Sequence, residues 1–211
     1  MNVSILNSTI SSLAHLRRFF YSEADFQHCL AMALSRAGYK VFLEQPITVS
    51  KDTYTVDIVL EDKGLYYPIE LKYKTVKDVC AGLLGPCSLK DQSANDIGRY
   101  LFWKDVKRLE TIQRNYPSRI AESYVVMLTN DKKYWEVPSQ PCCTIDQLFR
   151  IHPGMCVNKV HWINMASSPS YRSGRSVYPA INLANTYIVP EWNPYSRANN
   201  KEFKYLTIVV K

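Results

Sequence analysis

The stretch Thr53–Lys74, TYTVDIVLEDKGLYYPIELKYK, decides how this chain folds. Two runs rich in β-branched and aromatic residues, 53–60 and 65–74, flank the turn Glu61-Asp62-Lys63-Gly64, and this pattern predicts an antiparallel hairpin. Three charged side chains interrupt the apolar runs. Asp57 stands between Val56 and Ile58, while Glu70 and Lys72 are separated only by Leu71. Side chains two apart in a strand share a face, so Glu70 and Lys72 project together. Hairpin pairing brings Asp57 beside them if the register places it on that face. Two carboxylates and an ammonium on an apolar sheet are costly unless they are paired or hold a cation. Pro68 lacks an N–H to give to the ladder, so the expectation there is a bulge or the strand's first paired residue.

Working outward, residues 39–49 (YKVFLEQPITV) read as a strand preceding the hairpin. Before it, Ser22 with Asp25 forms a capping-box pattern, and Phe26, Leu30, Ala33, Leu34 and Ala37 make the apolar stripe of a helix that Gly38 stops. Leu13, Leu16 and Phe20 predict a short lead-in helix over 10–20. Downstream, 76–91 reads as a loop containing Gly82, Gly85 and Pro86. A long helix is expected over 93–115, capped by Ser93 with Asp96 and carrying Ile97, Leu101, Val106, Leu109 and Ile112. Residues 122–129 form an apolar strand ended by Asn130-Asp131, and 144–150 reads as one or two helical turns. The acid-free stretch 164–185, with Arg172 and Arg175, reads as a long basic loop; 186–190 and 203–210 read as closing strands.

That order is helix, three antiparallel strands, helix, strand, then an extension with strands. It predicts a single α/β domain over 1–211, with a mixed central sheet flanked by helices, a core at about 22–129 and a C-terminal strand extension at 130–211. The length of 211 residues, with 46% hydrophobic and 21% charged, supports a packed core and excludes general disorder. The net charge of +7 permits a polyanionic partner without requiring one. Nothing in the first twenty residues reads as a secretory signal, and no apolar run approaches the roughly 20 residues of a membrane span. The expectation is a cytoplasmic protein with no membrane association. Its six cysteines (29, 80, 87, 142, 143 and 156) are then expected to be reduced. A zinc site from Cys142, Cys143, His152, Cys156 and His161 is disfavoured, because no paired C-x-x-C spacing is present.

Asp57, twelve intervening residues and then Glu70-Leu71-Lys72 resemble the PD-(D/E)XK nuclease signature. The resemblance covers about 22–129 and extends to the element order, which is similar to the αβββαβ core of restriction-endonuclease-like proteins. It departs in two places: Val56 stands where proline often precedes the first acid, and Pro68 lies within the third strand, where it cannot donate to the ladder. The resemblance implies a Mg²⁺- or Mn²⁺-dependent phosphodiester hydrolase acting on DNA, with RNA left open. Asp57, Glu70 and Lys72 would be catalytic, and Asp57 and Glu70 would hold the metal. Hard divalent cations take oxygen ligands, commonly one or two carboxylates plus water and phosphate oxygen. Glu23, in the first turn of the 22–37 helix, is the candidate third metal acid; its other reading is favourable placement at the helix dipole.

An acid two before a lysine also occurs at Glu61–Lys63, Asp105–Lys107, Asp131–Lys133 and Glu202–Lys204. Only Glu70–Lys72 sits in an apolar strand with an acid embedded in the strand before it. Asp105–Lys107 falls on the charged side of the long helix, expected to be a solvated face. Phosphate contacts are assigned to Lys74, Arg99, Arg172 and Arg175. A homodimer is compatible with this reading. The alternative is a non-catalytic nucleic-acid-binding or protein-interaction module that keeps the nuclease fold.

Overall fold

The turn at Lys63-Gly64 organises the sheet. In the computed structural model, which describes residues 1–92, 94–138, 144–163 and 178–211, these two residues have φ of +50° and +80°. A two-residue hairpin loop of type I′ needs positive φ at both positions, and glycine adopts it without strain. The flanking strands, β2 (Asp52–Asp62) and β3 (Leu65–Lys74), pair antiparallel from Asp62↔Leu65 to Ile58↔Ile69. Strand β1 (Lys40–Val49) pairs along the outer side of β2. Pro68 sits opposite Val59 with no shift of register, so it needs no bulge.

Three more strands complete a mixed six-stranded sheet: β6 (Ser123–Thr129), β9 (Asn193–Ala198) and β10 (Lys201–Val210). The order is β1-β2-β3-β6-β10-β9. Only β3 and β6 run parallel, and such a pair needs a crossover. Helix α3 (Asn95–Asn115) provides it. Helices α1 (Val3–Leu16) and α2 (Glu23–Arg36) cover one face, where Phe26, Leu30 and Leu34 pack with Ile58, Leu60, Ile69 and Leu71. Helix α3 covers the other, where Phe102, Val106 and Leu109 pack with Val59, Val125 and Met127.

Beyond residue 130 the chain is integral to these layers. β9 and β10 extend the central sheet, while the pair β7 (Cys156–Val160) and β8 (Ile181–Ile188) packs against α3. Neither β7 nor β9 was expected. β8 begins at Ile181, inside the expected basic loop; residues 164–177, with Arg172 and Arg175, lie outside the described residues.

Other differences have local causes. Helix α1 starts at Val3, because the Asn2 side chain accepts from Ile5 N at 3.1 Å and caps it. Leu16 is exposed, and Phe20 is buried from beyond the helix end. The expected loop at 76–91 contains a hairpin, β4 (Asp78–Gly82) and β5 (Gly85–Leu89), turning at Leu83-Leu84. Helix α3 is preceded by Ala94, which makes no side-chain cap; Ser93 lies outside the described residues. Residues 144–150 contribute one turn of 3-10 helix, Gln147–Phe149. Among the described residues no helix is long and apolar enough to cross a membrane.

Candidate active site

The sheet forks at Asp57. β1 stays with β2 as far as Val49↔Asp52, but β2 leaves β3 beyond Ile58↔Ile69. At the fork the ladder is irregular: Leu43↔Ile58 and Gln45↔Val56 pair, and between them Glu44 has φ of +49°. Strand alternation slips by one here, since Ile58 and Leu60 pack on the α2 side whereas Val56 and Val59 pack on the α3 side. Gln27 of α2 pins the irregularity, donating to Asp57 O at 2.7 Å and to Glu44 Oε1 at 2.6 Å.

A strand that loses its neighbour must find other acceptors for its N–H groups. In the fork these are carboxylates. Leu71 N donates to Asp57 Oδ2 at 2.6 Å, and Tyr73 N donates to Glu23 Oε2 at 2.6 Å. One acid from β2 and one from α2 therefore line the open edge of β3.

Since Leu71 and Tyr73 pack toward α2, Glu70 and Lys72 face α3. There they meet Asp105 and Arg108. Lys72 Nζ lies 2.7 Å from Asp105 Oδ2 and donates to Leu71 O at 2.9 Å. Arg108 Nε lies 3.2 Å from Glu70 Oε1, its Nη1 donates to Thr55 O at 3.2 Å, and it also pairs with Asp105 Oδ1. The Glu70 and Asp105 side chains are only 1% and 4% exposed. Glu70 Oε1 and Asp105 Oδ2 have cations at ion-pair distance but receive no directed hydrogen bond. Buried carboxylate oxygens left in that condition are unusual and demand an explanation.

Proton affinities follow from this crowding. Burial first, and then the charge of Asp105, push the Glu70 carboxyl up to about 10. Burial also raises Asp57, against the hydrogen bond from Leu71 N, the charge of Lys72 and a carboxyl–carboxyl hydrogen bond with Glu70. Glu23 is raised by burial and by Asp57, partly offset by Lys72, the Tyr73 N–H and Lys74. Burial pulls the Lys72 ammonium down, but Asp105, Glu23 and Asp57 outweigh it and the net shift is upward. Glu23, Asp57, Glu70 and Asp105 outnumber Lys72 and Arg108, even with Lys74 counted near Glu23.

Asp57, Glu70 and Lys72 are thus brought together, with Glu23 at the rim. Among the described residues, no three His, Cys, Asp or Glu side chains stand as a ready ligand set. Lys74 continues the alternation of Glu70 and Lys72. Arg99 lies elsewhere: it is 4% exposed, paired with Asp146, and donates to Lys133 O at 2.6 Å, so no surface is left for a phosphate. Cys142 and Cys143 lie outside the described residues.

The residues missed were Asp105 and Arg108. Placing Asp105 on a solvated face was wrong, and the corrective signal was in the helix itself. Phe102, Val106 and Leu109 put Asp105 on the buried stripe at spacings of three, one and four. Neither a family model, nor a curated protein, nor a solved structure matches the chain.

Proposed function

We propose that the chain is a Mg²⁺- or Mn²⁺-dependent phosphodiester hydrolase acting on DNA, built on a restriction-endonuclease-like core. One observation carries the reading: the fork gathers more carboxyl groups than cations and leaves Glu70 Oε1 without a directed donor. A divalent cation offsets such an excess, and oxygen donors of this kind suit Mg²⁺ and Mn²⁺. The residues fit the group: Asp57 and Glu70 would hold it, with Glu23 at the margin. When bound, such an ion polarises a phosphodiester and acidifies a water ligand.

The chain's own residues do the rest. Lys72, kept protonated by Asp105, Glu23 and Asp57, orients the attacking water and offsets charge developing on phosphorus. Arg108, with its side chain 25% exposed, stands beside Glu70 and Asp105, where a phosphate oxygen can compete for its guanidinium. Lys74 adds positive charge on the same strand, and Arg172 and Arg175 would add phosphate contacts that carry affinity without sequence choice. The element order α2-β1-β2-β3-α3-β6, with the β4–β5 hairpin inserted between β3 and α3, and the parallel β3–β6 pair support the core assignment.

A second reading has an observation in its favour. Lys72 with Asp105, and Arg108 with Glu70, form a nearly closed ion-pair network that a non-catalytic nucleic-acid-binding module could keep for rigidity. Incubating the purified protein with plasmid DNA and MgCl₂ or MnCl₂, against an EDTA control, separates the two. Cleavage that Asp57→Ala and Lys72→Ala abolish, with unchanged circular dichroism, supports hydrolysis. Salt-sensitive DNA retardation with no turnover selects the binding module.

A further inference from the structure

We propose that Cys80 and Cys87 are a thiol-oxidation site, closing to an intramolecular disulfide when the folded protein meets a small-molecule disulfide such as oxidised glutathione. The two residues lie directly opposite each other in the β4–β5 hairpin. Opposed residues of an antiparallel pair put their side chains on the same side of the ribbon. Here that is the inner side. Cys80 is 1% exposed and Cys87 half-buried, both pack with the α2-side core, and the neighbours Val79, Ala81, Pro86 and Ser88 face outward.

The Cα spacing suits a bridge, while the Cβ atoms of a hydrogen-bonded pair start about 5.5 Å apart and must close to about 4.5 Å or less as the bond forms. Pro86, with no N–H, stands opposite Ala81, which makes that pair the non-hydrogen-bonded kind. Cys80 and Cys87 then form the alternate kind, with Cα atoms about 5.5 Å apart, inside the span of about 4.4–6.8 Å that disulfides occupy. The other described cysteines lack this arrangement: Cys29 lies on α2, and Cys156 faces Ile188 across its strand pair.

The accessible thiol reacts first. Cys87 gives up its proton, its thiolate attacks one sulfur of the oxidant, and the oxidant's S–S bond breaks. The expelled thiolate takes a proton, leaving a mixed disulfide on Cys87. Cys80 then loses its proton to solvent and attacks the Cys87 sulfur, and the second small thiol departs. Two protein thiols are oxidised, and one small disulfide is reduced to two thiols. Burial and the nearby Asp78 carboxylate, 3.9 Å from Cys80 Sγ, push the Cys80 thiol up to about 11, which suits it to the second, intramolecular step.

Both cysteines fall in one tryptic peptide, 78–90, because cleavage follows Lys77 and Lys90. The full chain is incubated with mixtures of reduced and oxidised glutathione, quenched in acid, alkylated with N-ethylmaleimide and digested. The expected product is an unalkylated 78–90 peptide lighter by two hydrogens, restored to the dialkylated form by dithiothreitol. In Cys80→Ser, a glutathione adduct should accumulate on Cys87. Should that variant fail to fold, Cys87→Ser is expected to leave Cys80 unmodified over the same period. A peptide that stays doubly alkylated at every ratio, or that stops at a glutathione adduct in the unsubstituted protein, overturns the proposal. An equally rapid adduct on Cys80 in Cys87→Ser overturns the order of attack.

Discussion

Helix α3 reaches two buried acid sites about one turn apart, and they are opposites. Glu110, 1% exposed, is saturated: it accepts from Ala184 N at 2.8 Å, Asn185 N at 3.0 Å and the Tyr187 hydroxyl at 3.0 Å, with Lys107 at 3.5 Å. Its carboxylate ties β8 to the helix. Glu70 is just as buried, yet its Oε1 has no directed donor and its neighbour Asp105 is another acid. Burial of a carboxyl therefore marks both, but only one has its hydrogen-bonding capacity unmet. On the proposed reading, Glu110 is satisfied by its own fold, whereas Glu70 is left to meet a metal ion.

The largest test of that contrast is kinetic. Lys72→Ala should reduce Mg²⁺-dependent DNA cleavage by about a hundredfold or more, the scale on which one preorganised charge stabilises a transition state. Glu110→Gln, which keeps an acceptor oxygen for the 184 and 185 amides, should leave the cleavage rate of the folded protein unchanged. Equal losses in both variants would mean that the two acid sites do not differ in kind.

The second test is of stability. Glu110→Ala strands two backbone N–H groups and a tyrosine hydroxyl together, and should destabilise the protein by about 3 kcal/mol in urea unfolding. Glu70→Ala removes an acid that is poorly compensated and should cost less, the remaining loss coming from Arg108 and the cavity. The opposite ranking in the same assay would make Glu70 the anchor.

How much of this contrast was legible beforehand depended on range. The hairpin was, because Lys63-Gly64 and the apolar runs beside it are local signals, and so were Asp57, Glu70 and Lys72 as charges within strands. The fork was not. It arises where Glu44, in another strand, adopts positive φ opposite Asp57, and no local pattern in 53–74 announces that slip. Asp105 was legible in principle from Phe102, Val106 and Leu109, but the charges around it masked the stripe. The strand at 203–210 was legible from its own residues, but its pairing with the distant β6, and the strand β9 beside it, were not, because periodicity carries no long-range partner. Glu23 showed its helix position but not its acceptor role, since Tyr73 N is fifty residues away.

A third test adds the ion. Mg²⁺ or Mn²⁺ at a hundred times its dissociation constant should stabilise the fold by about 2.7 kcal/mol through linkage, read as a rise in melting temperature. Asp57→Asn and Glu70→Gln should lose that rise, and Glu110→Gln should keep it. A rise of the same size in all four proteins would place the ion away from the fork.

The smallest effect isolates Glu70 without any ion. In EDTA, its carboxyl is pushed from 4.5 in the unfolded chain to about 10 in the fold. The folded state therefore prefers the protonated form, and the associated stability is complete below 4.5 and drains away as pH rises toward 10. Glutamine cannot ionise, so Glu70→Gln should gain on the unsubstituted protein as pH climbs from 5 to 9. The gain should grow steadily with pH across that range, because only the glutamate loses its proton-linked stability. The measurement is the difference in melting temperature between the two proteins across that range. A difference that stays flat, or reverses in favour of glutamate, would show that Arg108 already balances the carboxylate as fully as the β8 amides balance Glu110, and the fork would then hold a structural ion pair.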